Sequence, residues 1–182
     1  MATNPYVERV LFLVAEPNAG KSTQLRSIFL DHRLHNNGNI PTAKNLPNTH
    51  RLSNERLLYL RLTSPHESNE DLSQFLEKCE YEMSTNDQNR SRWNIAAPLQ
   101  PYPTARTPGA ADIINAFAAK FQPERVRTIV LSPDRHGNLA NPKLINSLSA
   151  NVMSHPRSDF LCADATGRQA NAFIYADFFD FT

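Results

Sequence analysis

The segment VLFLVAEPNAGKSTQLRSIF, residues 10–29, decides the fold of this chain. Its first six residues are apolar, and a short unbroken apolar run is typical of a strand buried on both faces of a parallel sheet. The turn-like AEPNAG, residues 15–20, comes next, and from Lys21 to about Arg33 the apolar side chains recur on one helical face. The segment therefore predicts a strand over 8–14, then a tight loop, then a helix.

The loop AEPNAGKS, residues 15–22, fits the relaxed Walker A pattern, in which Ala or Gly leads four free residues and G-K-[ST]. Such a loop turns backbone N–H groups toward a phosphate, while its lysine reaches the β- and γ-oxygens and its hydroxyl ligates Mg²⁺. Ala15 keeps the small residue that the turn needs if its φ is negative, and Asn18 suits a left-handed position. The alternative is an ordinary strand-to-helix turn with an exposed lysine. The predicted nucleotide-binding residues are Ala15, Asn18, Ala19, Gly20, Lys21, Ser22 and Thr23.

Through this pattern, residues 8–30 resemble the P-loop NTPase superfamily. PNAGKST, residues 17–23, is similar to the first guanine-nucleotide motif of translation-factor-type GTPases. AGKSTQL, residues 19–25, is similar to the loop of thymidylate kinases and related nucleoside-monophosphate kinases. The resemblance implies a single α/β domain with a mainly parallel sheet and helices on both faces, which binds ATP or GTP together with Mg²⁺.

Downstream motifs favour the kinases over the GTPases. The N-K-x-D tetrapeptide that reads guanine does not occur, and Arg106 stands where the GTPase motif D-x-x-G would have its aspartate, with no predicted strand ahead of it. In contrast, TIVLSPDRHG, residues 128–137, ends a predicted strand with Asp134, Arg135 and His136, as in thymidylate-kinase-like proteins. The resemblance implies that Asp134 assists at the reacting phosphates and that Arg135 holds the acceptor phosphate. Arginine binds phosphate bidentately, and a carboxylate can hold metal-bound water.

These motifs predict an ATP-dependent phosphotransferase that resembles small nucleoside or nucleotide kinases, with Lys21, Asp134 and Arg135 as catalytic residues. Its acceptor would be a small molecule or a nucleotide. The alternative is a P-loop ATPase or GTPase that is catalytically weak and acts as a switch or accessory module on a macromolecular partner. The predicted Mg²⁺ ligands are Ser22 and a carboxylate that follows a neighbouring strand. Three acids qualify by position, with the first preferred and the last second: Asp134, Glu67 and Asp164.

The rest of the chain alternates strands and helices, which indicates a parallel sheet covered on both faces. Strands are predicted over 56–63, 125–132, 158–164 and 171–179, and helices over 69–84, 108–121 and 142–152. Three residue pairs predict helix starts, a capping box in the first and a proline in the first turn in the others: Ser68 with Asp71, Thr107 with Pro108, and Asn141 with Pro142.

Two polar stretches, 35–55 and 85–108, show no clear period and are predicted to be long loops. The first carries Thr42 and Thr49, in the region where a GTPase keeps its Mg²⁺-sensing threonine. In the second, Trp93 either stacks on a base or pins the loop to the core. Three arginines of this stretch form either a solvated basic surface or a lid that closes over phosphate: Arg90, Arg92 and Arg106.

Composition bounds the class of protein. A chain of 182 residues with a formal net charge of +1 is long enough to bury a core, and it gives no clear signal of nucleic-acid binding. Cys79 and Cys162 lie in apolar settings without metal-ligand spacing, so both are predicted to be buried, reduced thiols. Residues 1–16 lack a signal-peptide pattern, and no apolar run reaches membrane-spanning length. A cytoplasmic protein without membrane contact is the expectation.

Overall fold

The computed structural model describes residues 5–34, 39–43, 46–85, 92–166 and 171–179. The strands are β1 (Val7–Val14), β2 (Thr49–Arg51), β3 (Arg56–Leu60), β4 (Arg92–Leu99), β5 (Arg125–Leu131) and β6 (Ser158–Ala163). The helices are α1 (Lys21–Arg26), α2 (Leu72–Thr85), α3 (Ala110–Phe121), α4 (Pro142–Val152) and α5 (Ala172–Phe179). Two short 3₁₀ turns continue the chain after α1, at Ser27–Leu30 and His32–Leu34.

The strands form one six-stranded sheet in the order β2-β3-β4-β1-β5-β6. Every neighbouring pair is parallel except β2 with β3, which is antiparallel. The α/β class with a mainly parallel sheet is thus confirmed. Because β1 lies near the middle, the loop that follows it opens at the carboxyl edge of the sheet, where β4 and β5 also end. Open α/β sheets bind ligands at that edge.

Helices cover both faces of the sheet, as the sequence predicts. Alternate side chains of β1 enter two separate cores, because successive residues of a strand point to opposite faces. Phe12 packs in the core that α2, α3 and α4 cover, whereas Leu11 and Leu13 pack in the core beneath α1 and α5. All three side chains are fully buried, which explains the unbroken apolar run in the sequence. None of the helices within the described residues is long and apolar enough to cross a membrane.

The prediction of a loop over the whole of 85–108 is wrong, because β4 occupies Arg92–Leu99 between β3 and β1. The sequence RWNIAAPL lacks the usual pattern of a buried strand. Its apolar run is interrupted by the buried Asn94 and by Pro98, and Ala96 and Ala97 are only weakly apolar. Pro98 is tolerated because β3 pairs with β4 only as far as Ala96, so no ladder bond to β3 is lost there. The stretch 35–55 also contains a strand, the short β2.

The predicted strand over 171–179 is likewise wrong, because this segment forms α5. A continuous apolar run cannot be assigned to strand or helix by periodicity alone. The buried residues nevertheless follow helical spacing, at Ala172, Tyr175, Ala176 and Phe179, while Phe173 points to solvent. The helix therefore covers the sheet with one face, next to the 3₁₀ turn after α1.

Helix starts and cysteines differ in part from expectation. Asn141 caps α4 as predicted, because its side chain accepts a hydrogen bond from the amide of Lys143 at 2.9 Å. In α2, Asp71 forms the reciprocal capping box with Gln74 instead of with Ser68. Helix α3 begins at Ala110, two residues later than Pro108. Cys79 is buried as predicted, whereas Cys162 is exposed on the edge strand β6, and both are free thiols.

Candidate functional site

The loop between β1 and α1 has the backbone conformation that the sequence predicts. Asn18 adopts a φ of 60° and Gly20 a φ of 97°, whereas Ala15 does not take a positive φ. The amide of Ala19 donates to the carbonyl of Glu16 at 3.3 Å, which closes the turn. Left-handed residues set between right-handed ones turn successive amides toward one concave surface, as in anion-binding nests. The order strand, loop, helix is confirmed, but the helix is shorter than predicted, because α1 ends at Arg26 and 3₁₀ turns replace its continuation toward Arg33.

Lys21 lies across this loop and is only 4% exposed. Its Nζ donates hydrogen bonds to the carbonyl oxygens of Ala15 at 2.9 Å and Glu16 at 2.7 Å. Burial lowers the pKa of Lys21, and the negative charges of Glu67 and Glu16 oppose that shift. The ammonium group is thus fixed at the mouth of the loop, so the alternative of an exposed lysine is wrong.

Ser22 connects the loop to the segment that follows β3. Its hydroxyl donates a hydrogen bond of 2.6 Å to the carbonyl oxygen of Leu62, which lies just beyond β3. A hydroxyl has one proton and two lone pairs, so donation to Leu62 leaves both lone pairs of the oxygen available as acceptors or metal ligands. The serine is therefore oriented by the protein itself.

A cavity of about 630 Å³ opens directly against the loop. Gly20, Thr23 and Thr42 line it, and Arg135 and His136 line it from the turn after β5. The remaining lining residues are Gln24, Arg26, Ile40, Pro41, Ala165 and Thr166. Among these described lining residues none carries a carboxylate. The volume lies within the usual range for small-molecule sites, and the arginines suit an anionic ligand.

Arg135 belongs to this cavity through the loop. Its backbone amide donates to the carbonyl of Ala19 at 3.2 Å, and its side chain lies against Gly20. Its Nε donates to Nε2 of His136 at 2.9 Å, which holds the guanidinium group beside the cavity. The structure thus brings Arg135 together with Ala19 and Gly20, two of the loop residues that the sequence singles out.

Asp134, the neighbour of Arg135, is turned away from that cavity. Its Oδ1 accepts hydrogen bonds from the amides of His136 at 2.7 Å and Asn138 at 2.9 Å, and its Oδ2 accepts from Nδ2 of Asn138 at 3.2 Å. It instead lines a second, smaller cavity of about 220 Å³, together with Ala15 and Glu16 of the loop. Its observed contacts hold the turn after β5.

The other two carboxylates lie in different places. Asp164 is exposed after β6 and accepts hydrogen bonds from the amide and hydroxyl of Thr166, both through Oδ1. Glu67 follows β3 and lies close enough to Lys21 to influence its pKa more strongly than Glu16 does, although Glu16 is part of the loop. Of the three acids, Glu67 is the one whose charge acts on Lys21.

The described residues do not support the prediction that basic side chains of the stretch 85–108 form a lid over a phosphate. Arg92 is part of β4, with its guanidinium group over the ring of Tyr6, and Arg90 lies outside the described residues. Arg106 donates to Gln74 on α2 and lines a separate cavity there. Trp93 is 0% exposed in the core, so it pins β4 and is not available to stack on a base.

Sequence reasoning missed Gln24 and its partners. The side chain is 2% exposed, and its Oε1 accepts from Nδ2 of Asn171 at 3.1 Å and from the hydroxyl of Tyr175 at 3.2 Å. These contacts join α1 to α5 below the large cavity. The sequence does offer one indication of this contact. Gln24 lies on the apolar face of α1, and a buried side-chain amide requires hydrogen-bond partners.

Comparison with known proteins gave no match to a protein-family profile, to a curated protein or to a solved structure.

Proposed function

We propose that this chain binds a nucleoside triphosphate, with the phosphates on the loop 15–23 and the nucleoside in the 630 Å³ cavity. The observation that carries the proposal is the position of the cavity, which begins at Gly20 and Thr23 and carries Arg135 on its wall. Lys21 would hold the β- and γ-phosphates by exchanging the loop carbonyls for phosphate oxygens. ATP and GTP both remain proposed ligands, since the cavity lining alone favours neither base.

The hydroxyl oxygen of Ser22 is a suitable protein ligand for Mg²⁺. Among the described residues there is no cluster of three or more histidine, cysteine or acidic side chains that could hold a metal. Mg²⁺ does not need one, because it keeps several waters and binds through one or two protein oxygens plus substrate phosphates. Ser22 offers such an oxygen. Bound there, Mg²⁺ would neutralise charge on the phosphates.

Phosphoryl transfer to a small acceptor is our second proposal. The 220 Å³ cavity favours it, because this cavity borders Ala15 and Glu16 of the loop and shares no described lining residue with the proposed nucleoside site. Asp134 lines it and would face the acceptor, while Arg135 would hold the nucleotide instead of the acceptor phosphate. Positioning of this kind supplies most of the catalysis in phosphoryl transfer.

A switch or accessory NTPase is the alternative, and one chain of contacts favours it. The hydroxyl of Ser22 donates a hydrogen bond to the carbonyl of Leu62. The segment after Leu62 is connected in turn to the region after β4, because the hydroxyl of Thr107 donates a 2.6 Å hydrogen bond to the carbonyl of Glu70. A change at the loop can therefore reach two surface segments. A kinase would consume ATP only with an acceptor present, whereas a switch would hydrolyse nucleotide slowly alone and respond to a macromolecule.

Nucleotide binding by Lys21→Ala tests the proposal. Isothermal titration with ATP and with GTP, each with Mg²⁺, should show micromolar or tighter binding by the wild type and about 10–100-fold weaker binding by the variant, since hydrogen bonds to charged groups contribute about 1.5–3 kcal/mol. Lys143→Ala removes an exposed lysine on α4 and is the matched control. Wild-type protein that binds neither nucleotide, or a variant that binds equally well, would refute the proposal.

A further inference from the structure

Strand β6 leaves one edge of the sheet open. It is the last strand in the sheet order and pairs with β5 on its inner side. The carbonyl of Arg157 accepts a hydrogen bond from the amide of Val126, and the carbonyl of Ala163 accepts one from the amide of Ser132, at the end of β5. The backbone groups of successive strand residues point alternately to the two sides of the strand. The N–H and C=O groups of three residues therefore face away from the sheet: Ser158, Phe160 and Cys162.

This edge lacks the features that protect edge strands from further pairing. Within the described residues no strand pairs with its outer side, and the sequence SDFLCA contains neither proline nor lysine. Leu161 is 38% exposed, and Cys162 is exposed next to it. The one charged side chain of β6 is Asp159, and its carboxylate is already paired with Arg127 at 2.9 Å. An open edge of this kind is a template for an additional strand.

The sequence of β6 is complementary to a second copy of itself. In an antiparallel pair with Phe160 opposite Phe160 of the second copy, Ser158 of each copy lies opposite Cys162 of the other. Every outward-facing N–H and C=O group of these three residues then has a partner. The two phenylalanine side chains also meet at the two-fold axis, and aromatic pairs directly opposite each other stabilise a sheet.

Opposite charges lie at the two ends of β6. Arg157 precedes the strand and Asp164 follows it, both residues are exposed, and neither forms an ion pair within the described part of the chain. In the antiparallel pair, Arg157 lies opposite Ala163 of the second copy and hence beside Asp164 of that copy. The two-fold axis repeats this contact at the other end. An in-register parallel pair would instead place like charges side by side.

We infer that β6 is a self-association interface, at which it pairs antiparallel with β6 of a second copy of this chain. The pairing joins two six-stranded sheets into one continuous sheet. Backbone hydrogen bonds between the two edges supply the affinity, as they do wherever a strand is added to a sheet. The contacts between Arg157 and Asp164 set the direction and register of the strands.

Sedimentation equilibrium under reducing conditions tests the pairing, because the reductant prevents a disulfide between exposed Cys162 thiols. The wild type should show a concentration-dependent dimer. Cys162→Pro removes an N–H that faces the second copy and none that bonds to β5, and proline is tolerated at such edge positions. This variant should be monomeric with the circular dichroism spectrum of the wild type. Cys162→Val is the matched control, because it also lacks the thiol but keeps the N–H, and it should dimerise like the wild type.

Charge reversal tests the direction of the strands. Arg157→Glu and Asp164→Lys should each dimerise about 10-fold more weakly than the wild type, since each places like charges together at both ends. An equimolar mixture of the two variants should recover the wild-type affinity, because every contact across the mixed dimer again joins opposite charges. Wild type that stays monomeric at all concentrations would overturn the inference. So would a Cys162→Pro dimer as stable as that of the wild type, or a mixture no more associated than its two components.

Discussion

Arg135 packs directly on Gly20, so closely that a Cβ atom at residue 20 would lie 3.2 Å from both Cβ and Cδ of the arginine. Gly20 is the N-cap of α1, and Arg135 follows β5, so this contact joins the loop between β1 and α1 to the segment after the next parallel strand. The glycine is required twice, for its φ of 97° and for the space that the arginine fills. The loop and the cavity wall therefore cannot change independently.

Gly20→Ala should weaken both folding and nucleotide binding. The left-handed conformation costs a non-glycine residue about 1–2 kcal/mol, and the added methyl group would also push the Arg135 side chain back by a few tenths of an ångström. Gly137→Ala is the matched control, because Gly137 also has a positive φ, of 84°, but no neighbouring atom of the described residues lies within 4 Å of its Cβ position. Urea denaturation should show similar losses of stability in the two variants, whereas titration with ATP or GTP should show weaker binding only for Gly20→Ala. Equal nucleotide affinities in both variants would contradict the role of the Gly20–Arg135 contact.

The strand-loop-helix unit could be predicted from the sequence because its signals are local. Six consecutive apolar residues, Asn18 and the Gly20-Lys21-Ser22 sequence each specify their own conformation. The partners of that unit could not be predicted, since they come from distant segments. Nothing local in Leu62 indicates that its carbonyl accepts a hydrogen bond from Ser22, 40 residues away.

Strand β4 shows why sheet order was harder to predict than sheet class. A central strand needs apolar side chains on both faces, and Ala96 and Ala97 satisfy that need while giving little hydrophobic signal. The predicted absence of a strand before Arg106 followed from this weak signal and is wrong. Asp134 illustrates a further difficulty, since its place after a strand is correct, but its turn directs the carboxylate away from the large cavity.

Trp93 should behave as a core residue in solution. It is the single tryptophan of the chain and is fully buried in β4. Trp93→Ala should lower the free energy of unfolding by about 3–5 kcal/mol. Trp93→Phe should cost less, because the indole N–H has no hydrogen-bond partner among the described residues and phenylalanine removes that group. Urea denaturation followed by circular dichroism measures both. Quenching of the wild-type tryptophan emission by iodide in the folded state would contradict the burial.

Glu70 links the stability of the segment after β3 to pH. The buried carboxylate accepts hydrogen bonds of 2.6 Å from Arg61 and from Lys78. Burial alone would raise the pKa of Glu70, but the hydrogen bonds from Lys78 and Arg61 outweigh it and leave the pKa below its usual 4.5. A carboxyl group with a lowered pKa contributes its full stabilisation above its unfolded-state pKa, and that contribution is lost as the pH falls through the folded-state value.

Glu70→Gln should therefore destabilise the protein at neutral pH, by about 3 kcal/mol, since Arg61 is left buried without its carboxylate. The difference from the wild type should shrink as the pH falls below about 4.5, because protonation removes the same charge from the wild type. Urea denaturation at a series of pH values between about 3 and 7 measures this convergence. Glu77→Gln, on the exposed face of α2, should follow the wild-type curve at every pH. A difference between Glu70→Gln and the wild type that stays constant into acid would show that the carboxylate does not stabilise the fold through its charge.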